Sequence, residues 1–181
     1  PYQPAELFGA NAIGSSNARF AQSTGDDLYR RSLYTYWKRQ IPAANMRILG
    51  ADGRTTCRTR REQTNTPLQA LVLLNDPQFV EASRVFAERI MNEGGDSPSQ
   101  RLSYAFRLAT SRHIQPMELE ILLQEYNDRI REFEADDALA ASYLAGGGQH
   151  TPKQGTDLSQ LAAYAAVCSL ILNLDESISS S

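Results

Sequence analysis

A mainly helical, single-domain bundle around a buried C-terminal helix is the fold this sequence predicts, and three features predict it. A capping residue followed by proline recurs at Thr66-Pro67, Asp76-Pro77 and Ser97-Pro98. The capping side chain accepts from an N–H that the helix leaves orphaned, and proline at the first helical position has no N–H to lose. Residues 158–174 are apolar on nearly every side, as a central bundle helix must be, and fall short of the roughly 18 residues that span a membrane. No segment alternates apolar and polar residues for long enough to predict a firm strand.

Residues 1–25 are rich in Gly, Asn, Ser and Ala without a sustained period, which predicts an extended N-terminal arm. The helical domain is expected over 26–178, with a frayed serine-rich tail at 179–181. Asp26-Asp27 predicts a helix start, with Tyr29, Leu33, Tyr36, Trp37 and Ile41 on one face and Pro42 as its stop. Residues 43–64 predict an irregular basic loop. Within it, Ala51-Asp52-Gly53-Arg54 reads as a turn joining Met46–Leu49 to Thr55–Thr59 in a short hairpin.

Helices follow at Leu68–Leu74, from Gln78 to about Glu93, and from Ser99 to about Thr110. Phe79, Ser83, Phe86, Ile90 and Met91 form the apolar stripe of one; Leu102, Ala105, Phe106 and Ala109 form that of the next. Pro116 opens the clearest amphipathic helix, with Leu119, Leu122, Leu123, Tyr126, Ile130 and Phe133 at helical spacing. Asp136-Asp137 starts a short helix through Leu144, which Gly146-Gly147-Gly148 ends, and residues 146–155 predict a flexible loop. Thr156-Asp157 caps the last helix, whose alanines let neighbours approach closely.

Charge is unevenly spread. Between Leu28 and Arg61 lie nine basic residues and one acid, whereas from Gln115 onward there are three basic residues and eleven acids. Such halves attract each other within a fold or bind outside partners of opposite sign. The start Pro1-Tyr2-Gln3-Pro4, without methionine or signal peptide, is expected of a processed chain or of a piece of a longer one. Two cysteines, Cys57 and Cys168, exclude a disulfide framework and an all-cysteine metal site; separate buried thiols or one bridge both fit.

No P-loop, Rossmann fingerprint, nucleophile elbow or zinc-protease motif occurs. His113 and His150 have no carboxylate or cysteine at metal-ligand spacing, so no metal and no cofactor is expected in this domain. The paired acids Asp26/Asp27 and Asp136/Asp137 are adjacent and sit at helix starts, where capping explains them. Tyr29, Tyr34, Tyr36 and Trp37 interleave with the basic stretch, but they fit a core stripe and the chain is acidic overall, which argues against nucleic acid.

The candidate binding residues are Arg58, Arg60, Arg61, Asn65, Gln69, Asn75 and Asp76. The arginines could grip an acidic or sulfated glycan bidentately, and the amides could satisfy loop backbone or meet a ligand. Asp175 and Glu176 stand at the C-terminal end of the last helix, where negative charge opposes the dipole, so a cationic partner is expected there, and Arg60 or Arg61 is the candidate.

Three separated blocks carry a resemblance: Asp27 to Arg39, Arg60 to Ala82, and Leu170-Ile171-Leu172-Asn173-Leu174-Asp175-Glu176, with Phe106 to Arg112 followed by Pro116 and Glu118 also in pattern. Together they resemble the C-terminal domain of unknown function of planctomycete-type exported multidomain proteins that also carry a planctomycete cytochrome c domain. The resemblance implies export to the periplasm or cell surface, haem only in a neighbouring domain, and other domains of the parent chain as partners. It brings no catalytic residues. The expected function is therefore a non-catalytic structural or interaction module. The alternatives are an enzyme, or part of an active site shared with a neighbouring domain, acting on extracellular polysaccharide, and an acidic-glycan-binding domain.

Overall fold

The computed structural model describes residues 22–35, 43–51, 66–146, 148, 150–153 and 155–178. Among them the secondary structure is helical, with no strand, as the sequence predicts. The chain divides into two compact units, Pro1–Val72 and Leu73–Ser181, and each is described by itself.

In the first unit, the long helix expected after Asp26 is replaced by two 3-10 turns, Gly25–Tyr29 and Ser32–Tyr34. Arg30 between them is extended, with φ −64° and ψ 145°. Leu28 is buried, whereas Tyr29, Leu33 and Tyr34 are exposed, so the anticipated face does not form over the described residues. The Asp27–Arg30 ion pair, at 2.7 Å, joins residues that eclipse in a three-residue turn. The expected first hairpin arm, Met46–Leu49, is also helical: α1 spans Ala44–Ile48. Its end explains the difference. Gly50 takes φ +80°, its N–H bonds Arg47 O at 3.1 Å, and Ala51 N–H bonds Met46 O at 2.8 Å. This pair of bonds is a Schellman stop, so Gly50 closes a helix where the sequence suggested a strand before a turn.

Helix α2 covers Pro67–Asn75. Thr66 and Gln69 cap its start reciprocally: Thr66 Oγ1 accepts from Gln69 N–H at 3.3 Å, and Gln69 Oε1 accepts from Thr66 N–H at 2.8 Å. Leu68, Leu71 and Leu74 on this helix are exposed.

The second unit is the bundle. Helices α3 (Pro77–Glu93), α4 (Pro98–Thr110), α5 (Pro116–Ala135), α6 (Asp137–Ala145) and α7 (Leu158–Leu172) lie within about two residues of the expected bounds. The caps are those the sequence announces. Asp76 accepts from Gln78 N–H, Asp136 from Ala138 and Leu139, and Asp157 from Ser159 and Gln160. Ser97 and Gln100 form a full capping box. A single extra turn, α8 (Asp175–Ile178), follows α7.

Helix α7 touches α3, α4, α5, α6 and α8, which makes it the axis of the unit. Leu161, Ala162, Ala163, Tyr164, Val167, Cys168 and Ile171 have no exposed surface. The alanines bring the neighbouring helices close, and Tyr164 fills the gap left around them. Its ring stacks on Tyr126 of α5 with centroids 4.5 Å apart. Burial, reinforced by the Tyr164 hydroxyl, raises the Tyr126 phenol well above its usual range. Cys168 is a free thiol, and complete burial pushes its pKa up as well. Cys57 lies outside the described residues.

Candidate functional site

Helix α3 carries an unexpected stripe. Beside the apolar residues that the periodicity picks out, Glu81, Arg84 and Glu88 are buried, at 2%, 3% and 7% exposure. They recur at steps of three and four and therefore share a face. Buried charges of this kind need partners, and here the partners are the end of α6 and the loop after it. The Arg84 guanidinium donates from Nη1 to Leu144 O and from Nη2 to His150 O. Glu81 Oε1 accepts from the His150 backbone N–H at 2.7 Å. His150 Nε2 stands 3.1 Å from both carboxylate oxygens of Glu88. Three ionisable side chains of one helix thus hold both backbone and ring of His150.

Gly148 completes the contact. Its φ is +53°, and a Cβ there would lie 1.9 Å from Glu81 Cδ. The carboxylate could yield only by leaving the His150 N–H, so the position admits glycine for two independent reasons. At His150 the loop after α6 acts as a strap, pinned to α3 by side-chain-to-backbone bonds. Next to it opens a cleft of about 250 Å³, lined by Glu88, Met91 and Asn92 of α3 and by Lys153, Gly155, Thr156 and Asp157.

A second charged cluster joins the α4–α5 turn to α8. Ser111 takes the left-handed conformation at φ +62°, which swings Arg112 out of the helix line. Arg112 forks onto Glu118 at 2.6 and 2.8 Å and onto Glu176 at 2.7 and 3.1 Å, with its guanidinium over the Phe106 ring. Glu118 also accepts from the Gln115 N–H at 2.8 Å, capping α5. The Arg112 bond, with the Gln115 N–H second, lowers the Glu118 carboxyl to about 2 from its ordinary 4.5.

The folded value lies below the unfolded one, so this clasp stabilises fully above about pH 4.5 and loses its contribution as pH falls toward about 2. Accordingly, the stability gap between the native chain and Glu118→Gln should be widest near neutrality and close between those two values. Urea titrations at stepped pH measure it, and a gap that is constant with pH would exclude the clasp as its source. High salt should narrow the gap, since Arg112 and Glu118 are each about one-third exposed.

The candidate residues of the sequence do not assemble into one site among the described residues. Gln69 is consumed by the α2 start and by Ile48 O, to which its Nε2 donates at 2.9 Å. Asp76 caps α3, and Asn75 is exposed at the end of α2. Arg58, Arg60, Arg61 and Asn65 lie outside the described residues. Asp175 and Glu176 do not end α7, which stops at Leu172; they open α8, where negative charge suits the helix dipole, and Glu176 holds Arg112, while the expected Arg60 and Arg61 pairings fall outside the described residues. Sequence reasoning missed Glu81, Arg84, Glu88 and His150. Charges at helical spacing read as a solvated face, and the glycine-rich strap gives no side-chain signal of what it covers. No group of three or more metal-ligating side chains occurs among the described residues.

A family model, described as PSD1, protein of unknown function (DUF1553), matches residues 1–126. The match takes in α1 to α4, the α3 stripe and the first half of α5, and ends before the strap and α7. No curated protein and no solved structure matches the chain.

Proposed function

The chain belongs to that family of unknown function, and within it we propose that the chain serves as a non-catalytic structural and interaction module. One observation carries this reading. Met117 and Ile121, one turn apart on α5, are 74% and 61% exposed. Large apolar side chains held side by side in water mark surfaces that partners cover. The buried ionisable groups of α3 support the same reading, since they are turned onto the chain's own strap.

The setting we propose is an exported multidomain parent with a haem-bearing neighbour. Its support is the resemblance of the Asp27–Arg39, Arg60–Ala82 and Leu170–Glu176 blocks to such proteins. The partner is then another domain of the same parent. Calorimetric titration of the chain with the remainder of its parent is the test. Saturable binding is expected, weakened at least tenfold, about 1.4 kcal/mol, by the double change Met117→Ser with Ile121→Ser. Absence of binding by a folded chain would overturn the proposal.

A further inference from the structure

Two exposed apolar surfaces of the chain carry opposite charge. The first is the 3-10 turn Ser32–Tyr34. Tyr34 N–H bonds Arg31 O at 2.9 Å, and residues three apart eclipse in such a turn, so Arg31 and Tyr34 share one edge. Leu33 and Tyr34 are each 68% exposed, and Arg31 beside them is exposed as well. The neighbouring cation, Arg30, is held by Asp27, whereas Arg31 makes no ion pair among the described residues.

The second surface is the outer face of α5, with Met117 and Ile121. Every charged residue from Met117 through Asp128 is an acid: Glu118, Glu120, Glu125 and Asp128. Arg112 takes Glu118, Arg129 takes Glu125, and Arg131 approaches Asp128 at 3.5 Å. Glu120 is exposed and makes no ion pair among the described residues. It stands three residues after Met117 and next to Ile121, at the edge of the apolar pair.

Each surface thus sets two large apolar side chains beside one charge left unpaired among the described residues, and the two charges are opposite. We infer that the α5 face of one copy of this chain receives the Arg31–Tyr34 turn of a second copy. Leu33 and Tyr34 would lie on Met117 and Ile121, and Arg31 would meet Glu120. A second copy is the occupant because the same chain carries both halves of the match. Pairing like with like fails, since α5 against α5 brings two acidic stretches together and turn against turn brings arginines together. The contact is therefore heterologous and adds copies head to tail. So small a contact falls short of the roughly 800 Å² that each partner buries in a stable complex, so the association is weak. The inference goes beyond the interaction-module reading but rests on its docking face, for which a second copy competes with other domains of the parent.

The test is sedimentation velocity of the chain between about 10 μM and 1 mM, where association with Kd on the order of 0.1–1 mM is expected. Either double change, Leu33→Ser with Tyr34→Ser or Met117→Ser with Ile121→Ser, should weaken it at least tenfold. All four side chains are exposed, so the variants keep the fold. An equimolar mixture of the two variants should pair again and stop at dimers, because one intact surface of each kind remains. Glu120→Arg alone should weaken association about two- to fivefold, and adding Arg31→Glu to the same chain should restore it. No dependence on concentration, association that survives either double change, or a mixture that fails to pair would overturn the inference. The two readings fail separately. Parent segments that bind a chain which does not self-associate would leave the module standing and remove this contact. Self-association of a chain that parent segments do not bind would do the reverse.

Discussion

Arg84→Met is expected to destabilise the Leu73–Ser181 unit by about 3–5 kcal/mol, because the change strips one member from a buried charged cluster. Methionine fills the space of the arginine stem, so the loss reports the guanidinium. Leu144 O and His150 O lose their donor, and Glu81, 2% exposed, is left one turn from an apolar side chain. Adding Glu81→Gln should recover part of the loss, since a neutral amide is cheaper to bury than a carboxylate in a cluster that has lost its cation, and its oxygen can still accept from the His150 N–H. Urea unfolding of the two single variants and the double variant measures this. A cost below about 1 kcal/mol for Arg84→Met would mean that water replaces the guanidinium and that the strap is not held from α3.

Leu161→Ala is the second large effect, at about 2–5 kcal/mol, because a fully buried leucine on the central helix leaves a cavity that its neighbours cannot close. Leu170→Ala on the same helix provides the contrast. Leu170 is 40% exposed, so the same chemical change should cost less than about 1 kcal/mol. Helix propensity is identical in the two cases, and only burial differs. Equal losses would show that α7 acts through its helicity and not as the packed axis of the unit.

Much of the bundle was legible because its signals are local. Thr66-Pro67, Asp76-Pro77, Ser97-Pro98 and Asp157 place helix starts by chemistry that acts within one turn, and α2, α3, α4 and α7 begin there. The apolar saturation of residues 158–172 identified the axis, since only a helix surrounded on all sides can be apolar on all sides. The α3 stripe was illegible because its partners, mostly backbone atoms of Leu144 and His150, lie about 60 residues away, and a backbone carbonyl has no signature in sequence. Gly50 was ambiguous for a different reason. Glycine at positive φ ends helices and makes turns alike, and only the Met46 and Arg47 carbonyls decide between them. Arg112 illustrates a third limit: the fork to Glu118 is near in sequence, but the fork to Glu176 spans 64 residues.

The position of α7 in chain order bears on how the protein is made. Helices α3 to α6 emerge from the ribosome first and can touch one another, but the helix on which α3, α5 and α6 chiefly pack has not yet been synthesised. At about 5–20 residues per second, the 65 residues from Leu73 through Asp137 leave the ribosome over several seconds with their core partner missing. Throughout that time Ile90, Leu102, Tyr126 and Phe133 are open to chaperones and to other nascent chains. The unit can condense only after residue 172 clears the tunnel, in one late and largely cooperative step.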